Sequence, residues 1–196
     1  MTTHSMSYFH APVATYTELG GRTVFASLRP VQDVTLAQVY QLIAADSTLR
    51  RLTEEVRSAG DLGEAKKRLL PYVTPFGTFS RRNSRSLLRL SGLLPVDIDK
   101  LGSPEEAAGL RDRIAADRFL TPALAFVSPS GKGVKLFLPF STRRIDEGNT
   151  SLADLFRWTA VYIRALYGYA VDESGKDLAR ACFLCHDPGA KVNLYV

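Results

Sequence analysis

Cysteine, tryptophan, methionine and histidine are all scarce in this chain, with two, one, two and three residues among 196. Two cysteines cannot build a disulfide framework, so stability must come from a buried core, for which the length is ample. No apolar run approaches the ~20 residues that a membrane-spanning helix needs, and the expectation is a protein without a membrane partner. The start, Met1-Thr2-Thr3-His4-Ser5, lacks the charged-then-apolar plan of a secretory signal. A reducing, cytoplasmic setting follows as the expectation. Internal repeats and low-complexity tracts are also missing. What is present is an ordinary globular composition, 45% hydrophobic and 23% charged. Lys and Arg number 25 against 20 Asp and Glu, an excess that permits a polyanionic partner without requiring one.

The scarce cysteines fall together in Cys182-Phe183-Leu184-Cys185-His186. That order spells the C-x-x-C-H of covalent haem attachment and half of a zinc site. The segment is apolar and strand-like, no export signal accompanies it, and a zinc site would have to find its remaining ligands with only His4 and His10 left as histidines. Buried structural thiols are the better reading.

Along the chain, residues 1–60 read as an N-terminal α/β extension of unclear role, packed on a core that occupies 61–196. A helical segment is predicted from Leu36 to Ala59, with Val39, Leu42, Ile43, Leu49, Leu52 and Val56 at helical spacing. A short helix follows at Gly63–Leu70, carrying Lys66 and Lys67, until Pro71, Pro75 and Gly77 break it. The stretch Thr78–Arg89 holds Arg81, Arg82, Arg85 and Arg89 without an acid, either a solvated face or a track for a polyanion. From residue 92 the pattern is regular. A strand at 93–98 precedes a helix opened by Ser103-Pro104-Glu105-Glu106, with an N-cap, a first-turn proline and a capping box. Strands at Ala123–Val127 and Val134–Phe140, a helix at 151–167, and strands at Tyr169–Val171 and Ala181–Cys185 complete the set. The order β-α-β-β-α-β is that of a split βαβ, RRM- or ferredoxin-like unit in an α+β protein. Such a sheet lays its helices on one face and leaves the other for a ligand.

Three motifs carry chemistry. In Leu93-Leu94-Pro95-Val96-Asp97-Ile98-Asp99, strand alternation sends Asp97 and Asp99 to one face. Two like charges side by side need compensation, and a divalent cation supplies it; a solvated turn is the competing account. The hairpin Ser128-Pro129-Ser130-Gly131-Lys132-Gly133-Val134-Lys135 sets two glycines around a lysine, so the backbone can approach an anion closely. It is either a phosphate contact through Ser130, Gly131, Lys132, Gly133 and Lys135, or a flexible basic turn. The third motif, Asp172 through Arg180, offers a further carboxylate in Asp172 or Asp177. Arg180 either pairs with Asp177 or holds a phosphate bidentately.

In this order the three motifs resemble the VirE-type N-terminal domain family, itself similar to the archaeo-eukaryotic primase superfamily of primase-polymerases. The resemblance implies a primase-like core and a nucleotidyltransferase domain of a plasmid or phage replication protein. Asp97, Asp99 and Asp172 would be catalytic and would hold Mg²⁺ or Mn²⁺. Ser130–Lys135 would meet the nucleotide's phosphates, with Lys135 standing where the superfamily places a histidine, and Asp177 and Arg180 would complete the nucleotide site. Lys66, Lys67, Arg81, Arg82 and Arg85 would follow a single-stranded DNA template. Nucleoside triphosphates and a helicase or ATPase domain are the implied partners. Two alternatives stand beside this: a non-catalytic nucleic-acid-binding domain, and a metal-dependent phosphodiesterase or nuclease.

Overall fold

The computed structural model describes residues 4–17, 21–173 and 177–195. The chain opens with strands β1 (Ser5–Phe9), β2 (Tyr16–Thr17), β3 (Thr23–Val24) and β4 (Gln32–Thr35). Helices α1 (Leu36–Ala45), α2 (Ser47–Ser58) and α3 (Leu62–Leu69) follow, then β5 (Tyr72–Thr74), β6 (Gly77–Phe79) and β7 (Leu87–Leu90). The remainder runs β8 (Leu93–Ile98), α4 (Pro104–Ala115), β9 (Leu124–Val127), β10 (Val134–Pro139), α5 (Thr142–Asp146), α6 (Leu152–Tyr167), β11 (Cys182–Phe183) and β12 (Lys191–Val192). The fold is mixed α+β, with six helices among the described residues. Two four-stranded sheets are ordered β11-β5-β1-β4 and β12-β9-β10-β8, and β2-β3 and β6-β7 form two-stranded ribbons. Every described pairing is antiparallel.

Helix ends follow local chemistry. The single helix expected over Leu36–Ala59 is two, because Asp46 serves both. Its N–H bonds the Leu42 carbonyl at the end of α1, and its carboxylate accepts the Leu49 N–H at 2.6 Å to open α2. Periodicity cannot see such a break, since the apolar stripe continues through it. At α4 the Ser103 hydroxyl accepts the Glu106 N–H at 3.2 Å as expected, but Glu106 Oε2 takes the Gly102 N–H at 2.7 Å instead of its own cap's. Helix α6 stops at Gly168, whose φ of 79° suits a residue without Cβ.

Alternation along β8 divides the core. Leu94, Val96 and Ile98 meet Ala107, Leu110 and Ile114 of α4 and Phe156 and Ile163 of α6. On the opposite face Leu93, Leu124, Phe126 and Phe137 join Met6, Val39, Ile43, Leu49 and Val56 of the N-terminal layer. The sheet is therefore covered on both faces, and the open ligand face expected from the strand order is not there. Four large apolar side chains on that face require a cover. The cover leaves Asp97 only part-buried, where β8 ends beside β10.

The last strands also differ from expectation. Tyr169–Val171 forms no regular strand; its neighbour Asp172 instead sends a single N–H to the Asp97 carbonyl, at 2.8 Å. Cys182–Phe183 pairs with β5 in the other sheet, drawn there by burial of Cys182 and Leu184 in the N-terminal cluster. The fourth place beside β9 goes to β12. Both thiols are buried, and the Cys185 thiol donates to the Val127 carbonyl at 3.1 Å. His186 lies with Nδ1 3.1 Å from the Ile43 carbonyl. The C-x-x-C-H order is thus occupied with packing. Among the described residues no helix is long and apolar enough to cross a membrane.

Candidate functional site

The register Lys135↔Asp97 brings the first two motifs face to face. Lys135 Nζ donates to Asp97 Oδ2 at 2.7 Å, with side-chain exposures of 10% and 14%. Burial alone would depress this ammonium, but the charge and hydrogen bond of Asp97 outweigh it and hold the Lys135 pKa above the ordinary lysine value. Arg180 Nη2 reaches Asp172 Oδ2 at 2.6 Å and stands 3.9 Å from Asp97 Oδ2. With the Asp172 N–H on the Asp97 carbonyl, the third motif is tied to the first. Asp99, one alternation beyond Asp97, is exposed.

A cavity of about 100 Å³ lies among these groups, lined by Asp97 and Asp99, by Ser128–Ser130 and Lys135, by Arg180 and Phe183, and by Lys66 from α3. Its wall is the turn between β9 and β10. The Ser128 N–H bonds the Gly133 carbonyl at 2.8 Å, the Gly131 N–H bonds the Ser128 carbonyl at 2.9 Å, and Gly131 sits at φ 73°. The Ser130 hydroxyl is 3.0 Å from that of Ser128 and accepts the Lys132 N–H at 3.2 Å. This is an ordered loop, not a slack one. Gly133 is required by space, since a Cβ there would lie 2.8 Å from the Ile98 carbonyl oxygen and 3.0 Å from Asp99 Oδ1. Gly133→Ala is expected to cost about 1–3 kcal/mol by crowding, read as a lower urea midpoint at unchanged slope.

Other expected site residues lie elsewhere. Lys132 projects into solvent outside the cavity. Asp177 is exposed and accepts the Ser84 hydroxyl at 3.2 Å and the Ala179 N–H at 3.1 Å, so it holds a turn. Arg180 pairs with Asp172 and not with Asp177. Ser174, Gly175 and Lys176 of the third motif lie outside the described residues. Of the basic stretch, Lys67 is exposed and stands 3.9 Å from Glu64, while Arg81 and Arg85 are exposed around the β6–β7 turn. Arg82 is turned inward, donating to the Val13 carbonyl at 2.9 Å with its guanidinium 5.4 Å from the Tyr72 ring centre. Phe183 lines the cavity with Lys66 Nζ 5.9 Å from its ring centre; its place in the C-x-x-C-H segment gave no hint of that.

The donor set suits a hard divalent cation in kind: carboxylate oxygens from Asp97, Asp99 and Asp172. Lys135 hydrogen-bonds one oxygen of Asp97 and Arg180 one of Asp172, and the Asp97 carboxylate has a second oxygen to offer. Among the described residues no group of three His, Cys, Asp or Glu is already gathered as a metal cluster. Three carboxylates and three cations (Lys66, Lys135, Arg180) share the neighbourhood, so it is close to neutral as it stands.

Fold and site together define a small α+β domain with a compact, charged cavity at the end of one antiparallel sheet. The family model that matches is the BT4734-like N-terminal domain, over residues 64–191, and the chain belongs to that family. This corrects the resemblance drawn from the motifs: the family is not the VirE-type one, and the match carries no primase-polymerase relation. The motifs that suggested it are a few residues each, and any strand-and-loop site for anions draws on the same residue types. No curated protein and no solved structure matches the chain.

Proposed function

We propose that this domain is a nucleotidyltransferase that binds nucleoside triphosphates and acts on single-stranded DNA with Mg²⁺ or Mn²⁺. The observation that carries the reading is convergence. Residues far apart in sequence, Asp97 and Asp99, Ser128–Ser130 and Lys135, and Asp172 with Arg180, meet at one cavity through the Lys135–Asp97 and Arg180–Asp172 pairs and the Asp172–Asp97 backbone bond. The split βαβ arrangement is part of the same proposal, supported by the β8-β10-β9 order and by Asp172 lying beside β8.

Asp97, Asp99 and Asp172 are the carboxylates that would hold the ion. A bound divalent ion supplies charge neutralisation and alignment for an in-line displacement at phosphorus. The chain's own part is to receive the phosphates. Lys66 and Arg180 present cations in the lining, Ser128 and Ser130 present hydroxyls, and Lys135 fixes the orientation of Asp97. At about 100 Å³ the cavity admits a phosphoryl group and not a whole nucleotide, which normally needs roughly 300 Å³ or more. The base and sugar therefore lie at the mouth, beside Phe183. Lys67, Arg81 and Arg85 are the exposed cations left for a template strand.

A second reading, a nucleic-acid-binding domain without turnover, is favoured by the Lys135–Asp97 pair, which places an ammonium on one of the would-be metal ligands. The separating assay supplies single-stranded template, labelled nucleotides and Mg²⁺ or Mn²⁺, and compares wild type with Asp99→Ala. Asp99 is the better probe because it is exposed. Product growth that falls about 10²-fold or more in the variant supports transfer. Binding without product in wild type supports the second reading, and template shortening would indicate hydrolysis.

A further inference from the structure

We propose that Arg57 of α2 is the positioning residue of the Ser128–Gly133 loop, which makes the N-terminal layer a working part of the phosphate site. This rests on the phosphate-binding reading above. Arg57 Nε donates to the Pro129 carbonyl at 3.2 Å and Nη2 to the Ser128 carbonyl at 3.4 Å. The planar guanidinium thus spans two consecutive carbonyls from two separate nitrogens held in a fixed fork, whereas the donors of an ammonium all radiate from one nitrogen on a flexible stem. In a trans peptide the C=O and the following N–H point in opposite directions. Drawing the Pro129 carbonyl toward α2 therefore turns the Ser130 N–H away from it. That N–H takes no partner among the described residues, and Ser130 lines the cavity. Arg57 aims a donor at an anion it does not touch.

The same helix holds the facing wall. One turn before Arg57, the buried Thr53 accepts the His186 N–H on Oγ1 at 2.8 Å while donating to the Leu49 carbonyl at 2.7 Å. The Asp187 N–H bonds the Ile43 carbonyl of α1 at 2.9 Å. These bonds fix the segment that follows Arg180 and Phe183, so both sides of the cavity hang from α1 and α2. The spacing between the walls is set by residues of the N-terminal extension.

The test uses the full chain as wild type, Arg57→Ala and Arg57→Lys. Amide hydrogen exchange at 130–133 is expected to speed about tenfold in Arg57→Ala, and inorganic pyrophosphate to bind about tenfold more weakly, the size of a lost charge-assisted hydrogen bond. Exchange in β1 and β5 and the thermal midpoint should hold, which separates positioning from general stability. Arg57→Lys, which keeps the charge but has its donors on one nitrogen of a flexible stem, should restore part of both effects. Unchanged loop exchange in Arg57→Ala overturns the proposal, as does a loosened loop with unchanged pyrophosphate affinity. Wild type that binds no pyrophosphate overturns the phosphate reading itself, whatever Arg57 does to the loop.

Discussion

Asp97→Ala is expected to destabilise the domain by about 3–5 kcal/mol, the cost of leaving a buried ammonium without its counter-charge. Lys135 is 10% exposed at the side chain and stands 2.7 Å from the carboxylate that would be lost. Arg180, at 3.9 Å from Asp97, cannot compensate, having the same sign. Replacing both partners by apolar residues, Asp97→Leu with Lys135→Met, is expected to return stability to within about 1 kcal/mol of wild type, because desolvation of two charges offsets most of their attraction. Urea unfolding of the two single variants and the double variant measures the coupling directly. The pH dependence has a definite sign. The folded pKa of Lys135 is raised, so its contribution is fully present below the ordinary lysine pKa of about 10.4 and is lost only as pH rises beyond that. The coupling should therefore be flat from pH 7 to 10. A single variant within 1 kcal/mol of wild type would mean that the ammonium is solvated.

That expectation also sets how the site must be probed. Asp97 serves the fold and the proposed chemistry together, so its removal cannot separate them. Asp99 has no such double duty, being exposed at the strand end. The same contrast explains what the sequence could convey. Period-two alternation placed Asp97 and Asp99 on one face and Val96 and Ile98 on the other, and the apolar partners follow it closely. Local chemistry likewise revealed the Ser103 cap and the β9–β10 turn. Pairings between distant segments were not legible. Nothing in Cys182-Phe183 tells that it joins β5 and not the sheet of β8, because two apolar residues fit either sheet. Arg57 lies on a helix with other exposed charges, and its two carbonyl partners are 71 and 72 residues away. Arg111 and Asp187 form a buried pair at 2.9 Å that also caps the Val127 N–H, yet the two are 76 residues apart and nothing in the sequence pairs them. Short motifs named segments that meet at one cavity but pointed to the wrong family, since a few residue types in order do not fix an ancestry.

The two thiols supply the other large effect. Burial pushes both Cys182 and Cys185 up to about 12, against an ordinary thiol value near 8.5. Their thiolates are disfavoured in the folded state and freely formed in the unfolded one. Between these pKa values the unfolded chain binds fewer protons than the folded chain, so stability falls as pH rises. The loss begins near pH 8.5 and amounts to about 1.4 kcal/mol per pH unit for each thiol, or roughly 4 kcal/mol for the pair by pH 10. The window is clean on its upper side. Lys135, the buried Tyr72 and the part-buried Tyr8 have raised pKa values, so their own contributions change only above pH 10. Urea unfolding under reducing conditions at pH 7.5, 8.5, 9.5 and 10 should show this decline in wild type. In Cys182→Ala with Cys185→Ala the slope should vanish, over a baseline lowered by the lost packing and by the Cys185–Val127 hydrogen bond. A wild-type midpoint that stays level to pH 10 would show the thiols ionising as readily in the folded chain as in water. That outcome would be incompatible with their burial between the two sheets, and with the C-x-x-C-H segment being a packing element rather than a reactive one.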